Sequence, residues 1–426
     1  MKPGSCSGRL FFSAAVTTAW IVLAASQGNA YPIDGFERTG IRRLVYAQRV
    51  MDNIEKGSKL PRGALLSTDQ VQLRMLSTPF SLTGTSDVVD PGLQKKINAL
   101  FPNLDESYAL TVLDITPGKT PRLALWQPTR RFALGSVGKL AIAAGLFTQL
   151  KNMFPDDPEK RRQLLKTRIV TAGPWIETDH HRVPVYDPAS GRFNSRPIRQ
   201  GDRFCLYEWA DHMISASANA AASTLWKEAV LMHSFGKNYP PSPGAEKNFF
   251  ATTPRSVLGE MAAKVVNQPL ITAGITPREF HLGSFFTAAG KKMIPGEGDS
   301  NGSPMGLMKY LVAMEQGRIC DAWSSREIKR LMYSTARRIR YASSPALVGS
   351  AVFFKSGSLY HCAPEPGYVC KKYMGNKDNF MNSVAIVENP DNRIYMVTLM
   401  TNVLKKNSAV DHQTLATRID AVMKQE

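Results

Sequence analysis

Strand-forming runs sit at the two ends of this chain and helical patterns fill the space between. That arrangement limits the possible fold more than any other feature. "YALTVLDIT" (108–116) and "PRLALWQPT" (121–129) are short β runs joined by the turn Pro117-Gly118-Lys119. Three more lie near the end: "SAVFFKSGSLY" (350–360), "MNSVAIVEN" (381–389) and "RIYMVTLMTN" (393–402). Between them, "LYEWADHMISASANAAASTLWKEAV" (206–230) is helical with a break near Ser215 to Asn219. "PMGLMKYLVAMEQGR" and "SSREIKRLMYSTARR" are helices with good caps, and a last helix runs from about Ala409 to Met423. "DPGLQKKINALF" starts a helix ahead of the first strand, with Asp90 as cap and Pro91 in the first turn. The expected class is therefore α+β, with the early and late strands sharing one antiparallel sheet. Residues 233–250, rich in Pro, Gly and Asn, are expected to form a surface insertion.

The chain has 426 residues, of which 43% are hydrophobic and 21% charged, enough for a packed core. Residues 1–30 read as a signal peptide: Lys2 and Arg9 supply charge, Leu10 to Ala25 is apolar, and Gly28-Asn29-Ala30 precedes a cleavage site before Tyr31. Cys6 is not preceded by the apolar stretch of a lipoprotein signal. The mature chain is expected to be exported, periplasmic or secreted, and monomeric. Residues 31–87 form an N-terminal extension in which "TGIRRLVYAQRVMDNIEKG" has helical periodicity up to Gly57. Residues 88–426 form the main domain, with an all-α part within about 150–330.

The net charge is +18. No motif for reading nucleic acid is visible, and export argues against such a partner; electrostatic association with an anionic cell envelope fits better. Four cysteines remain after cleavage, and an even count in an exported chain suggests disulfides. Cys362 and Cys370 flank the turn-rich "APEPGYV"; pairing them would leave Cys205 to pair with Cys320, one of three possible arrangements. No spacing supports a zinc site. Asp179-His180-His181 resembles a ligand set but sits among loop signals, so neither metal nor cofactor is expected.

The chemistry concentrates in "RFALGSVGKLAIAAGLFTQL" (131–150). A lysine at the start of an apolar helix costs desolvation energy unless it has a partner. Ser136 lies one turn before Lys139, so the two side chains can meet on one face. A buried lysine has a depressed pKa and can take a proton from a hydroxyl, which makes the pair an activated nucleophile. A second Ser-x-x-Lys, Ser234 to Lys237, runs into Asn238-Tyr239-Pro240-Pro241 and opens no helix. Two further elements follow in order: Ser217-x-Asn219 at the break between helical stretches, and Lys355-Ser356-Gly357 inside a β run.

This triplet resembles that of class A β-lactamases and penicillin-binding proteins. Over about residues 88–426 the chain is similar to the serine β-lactamase and D-Ala-D-Ala peptidase superfamily, nearest the class A β-lactamase-like branch. The resemblance implies an antiparallel sheet flanked by helices plus an all-α subdomain. It implies that Ser136 attacks a carbonyl to form an acyl-enzyme and that Lys139 receives its proton. Ser217 would relay a proton to the departing nitrogen, and Asn219 would hold the substrate amide and orient Lys139. Lys355 and Ser356 would bind the substrate carboxylate, with Arg340 a weaker candidate for it. Gly357 would let substrate lie along the strand, and the amides of Ser136 and Ser358 would form the oxyanion hole.

The family's deacylating glutamate sits in Glu-x-x-Leu-Asn. Here Glu279-Phe280-His281-Leu282-Gly283 offers Glu279 as catalytic base, with Gly283 where asparagine belongs; Glu297 is a lesser candidate. The second element is Ser-Ala-Asn where most class A enzymes have Ser-Asp-Asn. The expected function is a serine hydrolase opening β-lactam amides, with a D,D-peptidase acting on peptidoglycan peptides as the alternative. A non-enzymatic envelope-binding protein on the same scaffold is the third reading, and it has no use for a lysine beside Ser136.

Overall fold

The computed structural model describes residues 1, 32, 34–57, 60, 62–82, 88–101, 105–335 and 337–425. The signal-peptide assignment lies outside the described residues.

Five strands form the main antiparallel sheet: β1 (Tyr108–Asp114), β2 (Arg122–Trp126), β3 (Ala351–His361), β4 (Asp378–Glu388) and β5 (Ile394–Asn402). Their order is β3-β4-β5-β1-β2, so the two ends of the chain do meet in one sheet, with Val112 opposite Val397 at the junction. Both faces of the sheet are covered. Leu110 and Val112 of β1 face the helices Pro91–Asn98 and Ala409–Lys424, against Leu93, Ile97, Leu415 and Ile419. Ala109 and Leu113 point the other way, into the large core shared with the helical part. The period of two in the strand splits one apolar run between two cores. The chain is α+β, with helices flanking antiparallel sheet.

At the centre of the larger core lies α1 (Lys139–Met153), whose side chains are buried almost all round. Around it pack α2 (Leu206–Ile214), α3 (Asn219–Phe235) and α4 (Arg255–Thr272). The indole N–H groups that this packing buries are satisfied: Trp226 donates to the Ala262 carbonyl at 2.9 Å and Trp209 to Val170 at 3.1 Å.

Several expectations are corrected. The extent of regular structure in the expected surface insertion, 233–250, is greater than its Pro, Gly and Asn content suggests: Ser242 caps a helix with no buried residues over Pro243–Thr252 by accepting from Ala245 N–H at 3.2 Å. The extension helix is Arg43–Met51 and stops short of Gly57, because Asn53 turns left-handed at φ +60°. Cys362 and Cys370 are joined, but Cys205 and Cys320 are free thiols. Each is used locally: Cys205 caps α2 by accepting from Glu208 N–H at 3.4 Å, and Cys320 donates to the Phe147 carbonyl at 3.5 Å. Among the described residues no helix is long and apolar enough to cross a membrane.

Candidate active site

Ser136 lies in a short 3-10 turn, Gly135–Gly138, that runs directly into α1. The turn is held from the sheet. Asn382 of β4 donates to the carbonyls of Ala133 (2.9 Å) and Leu134 (3.0 Å). Gly135 adopts φ +52°, and a methyl group there would lie 2.8 Å from the Ser358 amide nitrogen. Gly357 is under a tighter constraint. A methyl group there would sit 2.5 Å from the Leu134 carbonyl oxygen and 2.8 Å from Ser136 N. Two bare Cα atoms thus let β3 press its edge against the Ser136 turn and bring the Ser358 amide beside it. Gly357→Ala is expected to displace Ser136 and, on the reading of Ser136 as the nucleophile, to slow its acylation by about 100-fold or more, since misplacement by an ångström costs that much; rapid-quench mass spectrometry reads the rate.

Lys139 is completely buried, and its amine makes three contacts: Ser136 Oγ at 2.9 Å, Asn219 Oδ1 at 2.7 Å and the Ser217 carbonyl at 2.5 Å. A neutral amine has two N–H donors and one lone pair. The carbonyl and the amide oxygen accept the two donors, which leaves the lone pair for the Ser136 hydroxyl proton. The Phe286 ring lies 4.8 Å from Nζ and closes another side against water. Burial accordingly pulls the lysine down to about 7, while the charge of Asp179 pulls the other way.

Ser217 joins this lysine to a second one. It adopts φ +62°, uncommon for a residue with a side chain, in the turn between α2 and α3. Its hydroxyl accepts from Lys355 Nζ at 2.7 Å, while its carbonyl accepts from Lys139. Burial, then the nearby charges of Lys139 and Arg340, push Lys355 well below the ordinary lysine value. Arg340, at φ +53°, donates to the Gly357 carbonyl (2.7 Å) and to Ser358 Oγ (3.0 Å), and its guanidinium lies 5.4 Å from the Tyr373 ring centre. The geometry therefore gathers Ser136, Lys139, Ser217, Asn219, Lys355, Ser356, Gly357, Ser358 and Arg340 around one turn and one strand edge.

Glu279 is not tied into that cluster. Its Oε1 accepts from Lys309 Nζ at 2.5 Å and its Oε2 from Thr276 N–H at 2.9 Å and Thr276 Oγ1 at 3.0 Å. Burial works against ionisation, but the Lys309 and Thr276 bonds outweigh it and hold the carboxyl below its usual range. Glu297 Oε1 lies against Gly259 of α4. From the same segment it is Leu282, beside Gly138, and Phe286, beside Lys139, that reach α1. The decoy Ser234 donates to the Val230 carbonyl at the end of α3. Asp179 and His181 bond to each other at 2.6 Å, and among the described residues no group of three or more potential metal ligands occurs.

Sequence reasoning missed Asn382, Phe286 and the reach of Asp179. Asn382 had a signal, a lone amide inside the apolar run "MNSVAIVEN". The other two had none, because their roles depend on which helix they meet.

A helix-flanked antiparallel sheet, with a serine turn and a buried lysine set against one strand edge, is the fold of serine β-lactamases and penicillin-binding proteins. The model of the beta-lactamase enzyme family matches residues 92–421, and the chain belongs to that family. Among solved structures it is similar to a beta-lactamase of Sphaerobacter thermophilus, at 15% identity over 78% of this chain and 96% of that one, with a TM-score of 0.48. It is likewise similar to a beta-lactamase of Chitinophaga pinensis, at 14% identity over 78% and 98%, with a TM-score of 0.48. A class A beta-lactamase of Bacteroides cellulosilyticus is 14% identical over 79% and 98%, also with a TM-score of 0.48. No curated protein matches the chain.

Proposed function

We propose that this protein is a serine hydrolase of the class A β-lactamase type, which opens β-lactam amides through an acyl-Ser136 intermediate. The observation that carries the reading is the three-way seat of the Lys139 amine between Ser136 Oγ, Asn219 Oδ1 and the Ser217 carbonyl. In this scheme Ser136 Oγ bonds to the amide carbon as Lys139 takes its proton. The amides of Ser136 and Ser358 receive the oxyanion. As the C–N bond breaks, Ser217 Oγ passes its proton to the leaving nitrogen and is replenished from Lys355. Lys355 and Ser356 bind the substrate carboxylate. That anion favours the charged form of Lys355, and the charge in turn disfavours a proton on Lys139 before attack. Arg340 contributes by holding the β3 edge at Gly357 and Ser358.

A second reading has its own support. With Glu279 engaged by Lys309 and Thr276, release of the acyl group lacks the glutamate the class A resemblance implies, which favours a penicillin-binding D,D-peptidase that turns β-lactams over slowly. Under either reading the protein works as an exported monomer without metal or cofactor, and its positive charge, +18 for the full chain less Lys2 and Arg9 of the signal peptide, suits an anionic envelope.

Intact mass of the mature protein, followed over time with excess benzylpenicillin beside Ser136→Ala, is the test. A transient adduct with accumulating product supports the β-lactamase. A long-lived adduct on the wild type alone supports the slow peptidase. No adduct and no product overturns both, and leaves the non-enzymatic scaffold.

A further inference from the structure

Helix α3, which supplies Asn219, starts without a cap of its own. Ala218 occupies the N-cap position and offers no side-chain acceptor. The first-turn N–H of Ala220 is nevertheless satisfied, by Asp179 Oδ2 at 2.7 Å from a loop 41 residues earlier. The other oxygen, Oδ1, accepts from His181 N–H at 3.0 Å and faces His181 Nδ1 at 2.6 Å. An ionised carboxylate there requires the Nδ1 hydrogen, so the contact also selects the histidine tautomer.

The Asp179 side chain is only 4% exposed. Burial works against its charge, but the His181 ring, the Ala220 amide and the His181 amide outweigh it and keep the carboxyl below its usual range. The loop itself is pinned: Thr178, at φ +75°, accepts from Ala288 N–H at 3.0 Å through its hydroxyl. Asp179 thus grips the first turn of α3 next to the two groups, the Ser217 carbonyl and Asn219 Oδ1, that seat the Lys139 amine. The charges around that amine have opposite effects. Asp179 favours its proton, Lys355 across Ser217 is a like charge, and Arg340 stands beyond Lys355.

We propose that Asp179 is a positioning residue for the reacting pair: it caps α3 from outside, fixing the Ser217–Asn219 turn that seats the Lys139 amine, and brings a carboxylate to that turn. The proposal rests on the reading of Ser136 and Lys139 as that pair. It accounts for alanine in the middle of Ser-Ala-Asn, since the capping carboxylate comes from the Asp179 loop.

The test is an NMR titration of the mature full chain with ¹⁵N-labelled lysine, the Lys139 signal being assigned by its loss in Lys139→Met. Asp179→Asn keeps an acceptor for Ala220 but removes the charge. The Lys139 midpoint is expected to fall by roughly half to one pH unit, and the acid limb of benzylpenicillin acylation to move down with it. Asp179→Ala removes the cap as well and is expected to lower the melting temperature, which Ala218→Asp added to it restores. An unmoved midpoint in folded Asp179→Asn overturns the charge role, with Asp179→Asn/Ala218→Ser, which adds a neutral cap, held as the folded comparison should the single variant not fold. An unchanged melting temperature in Asp179→Ala overturns the cap. A wild-type midpoint near the ordinary lysine value overturns the proposal together with the reacting pair. A depressed midpoint without any penicillin adduct removes only the β-lactam reading and leaves the Asp179 result standing.

Discussion

Lys139→Met is expected to slow acylation of Ser136 by roughly 10³-fold, within the range a positioned general base contributes. The methionine fills a similar volume but offers no lone pair to the Ser136 hydroxyl. Stability should respond to pH in a specific way. The wild-type lysine is near 7 in the folded protein and takes its ordinary, higher value when unfolded. Between those two values the unfolded chain binds the extra proton, so wild-type stability rises with pH across that window. Below about pH 7 the lysine is charged in both states and its full burial cost applies. Methionine has no such term. The stability of wild type relative to the variant should therefore increase from about pH 7 upward, by at most roughly 1.4 kcal/mol per pH unit. Urea titrations at pH 6 and pH 9 measure it. A difference that does not change between them would mean that the buried lysine is not depressed.

Arg43→Ala is the second large effect, this time on stability. Arg43 comes from the extension, yet it is buried against α2. Nε and Nη2 each lie 2.5 Å from a carboxylate oxygen of Asp211, and Nη2 also donates to the Ser334 carbonyl. Both side chains are at most 2% exposed. A bidentate pair of this kind has little water to fall back on. Removing one partner of a buried pair costs about 3–5 kcal/mol, because the other charge stays buried and unpaired. Denaturant midpoints should fall accordingly, and Arg43→Ala/Asp211→Asn should recover part of the loss. Arg42, which bonds Glu208 at 2.8 Å with a third of its own side chain exposed, should matter less, because the Arg42 and Cys205 backbone amides still donate to the buried Glu208 carboxylate when the guanidinium is removed. If Arg43→Ala unfolds like the wild type, the extension is not part of the main domain's stability.

The triplet was legible because each piece is local. Ser136 and Lys139 meet across one helical turn, Ser217 and Asn219 share one turn between helices, and Lys355 to Ser358 share one strand. Strand pairing was legible from where the alternating runs fall. Helix α4 escaped notice although it packs on α1. Its buried stripe includes the small residues Gly259 and Ala262, Pro254 stands at its N-cap, and Pro269 lies inside its last turn, where a proline reads as a loop signal.

The sequence by itself determined the α+β class, the sheet joining both ends of the chain, and the identity of the residues around Ser136. Only the tertiary structure decided which charges meet. Glu279, in register with a catalytic glutamate by spacing, went to Lys309, thirty residues later. Asp179, in what looked like a loop, reached Ala220. Arg43 crossed from the extension to Asp211, and Cys205 and Cys320 stayed apart. The physical reason is the same in each case. Periodicity encodes which face of an element is apolar, but a buried charge or thiol takes its partner from whatever the packing brings within a few ångströms, where desolvation makes the pairing decisive.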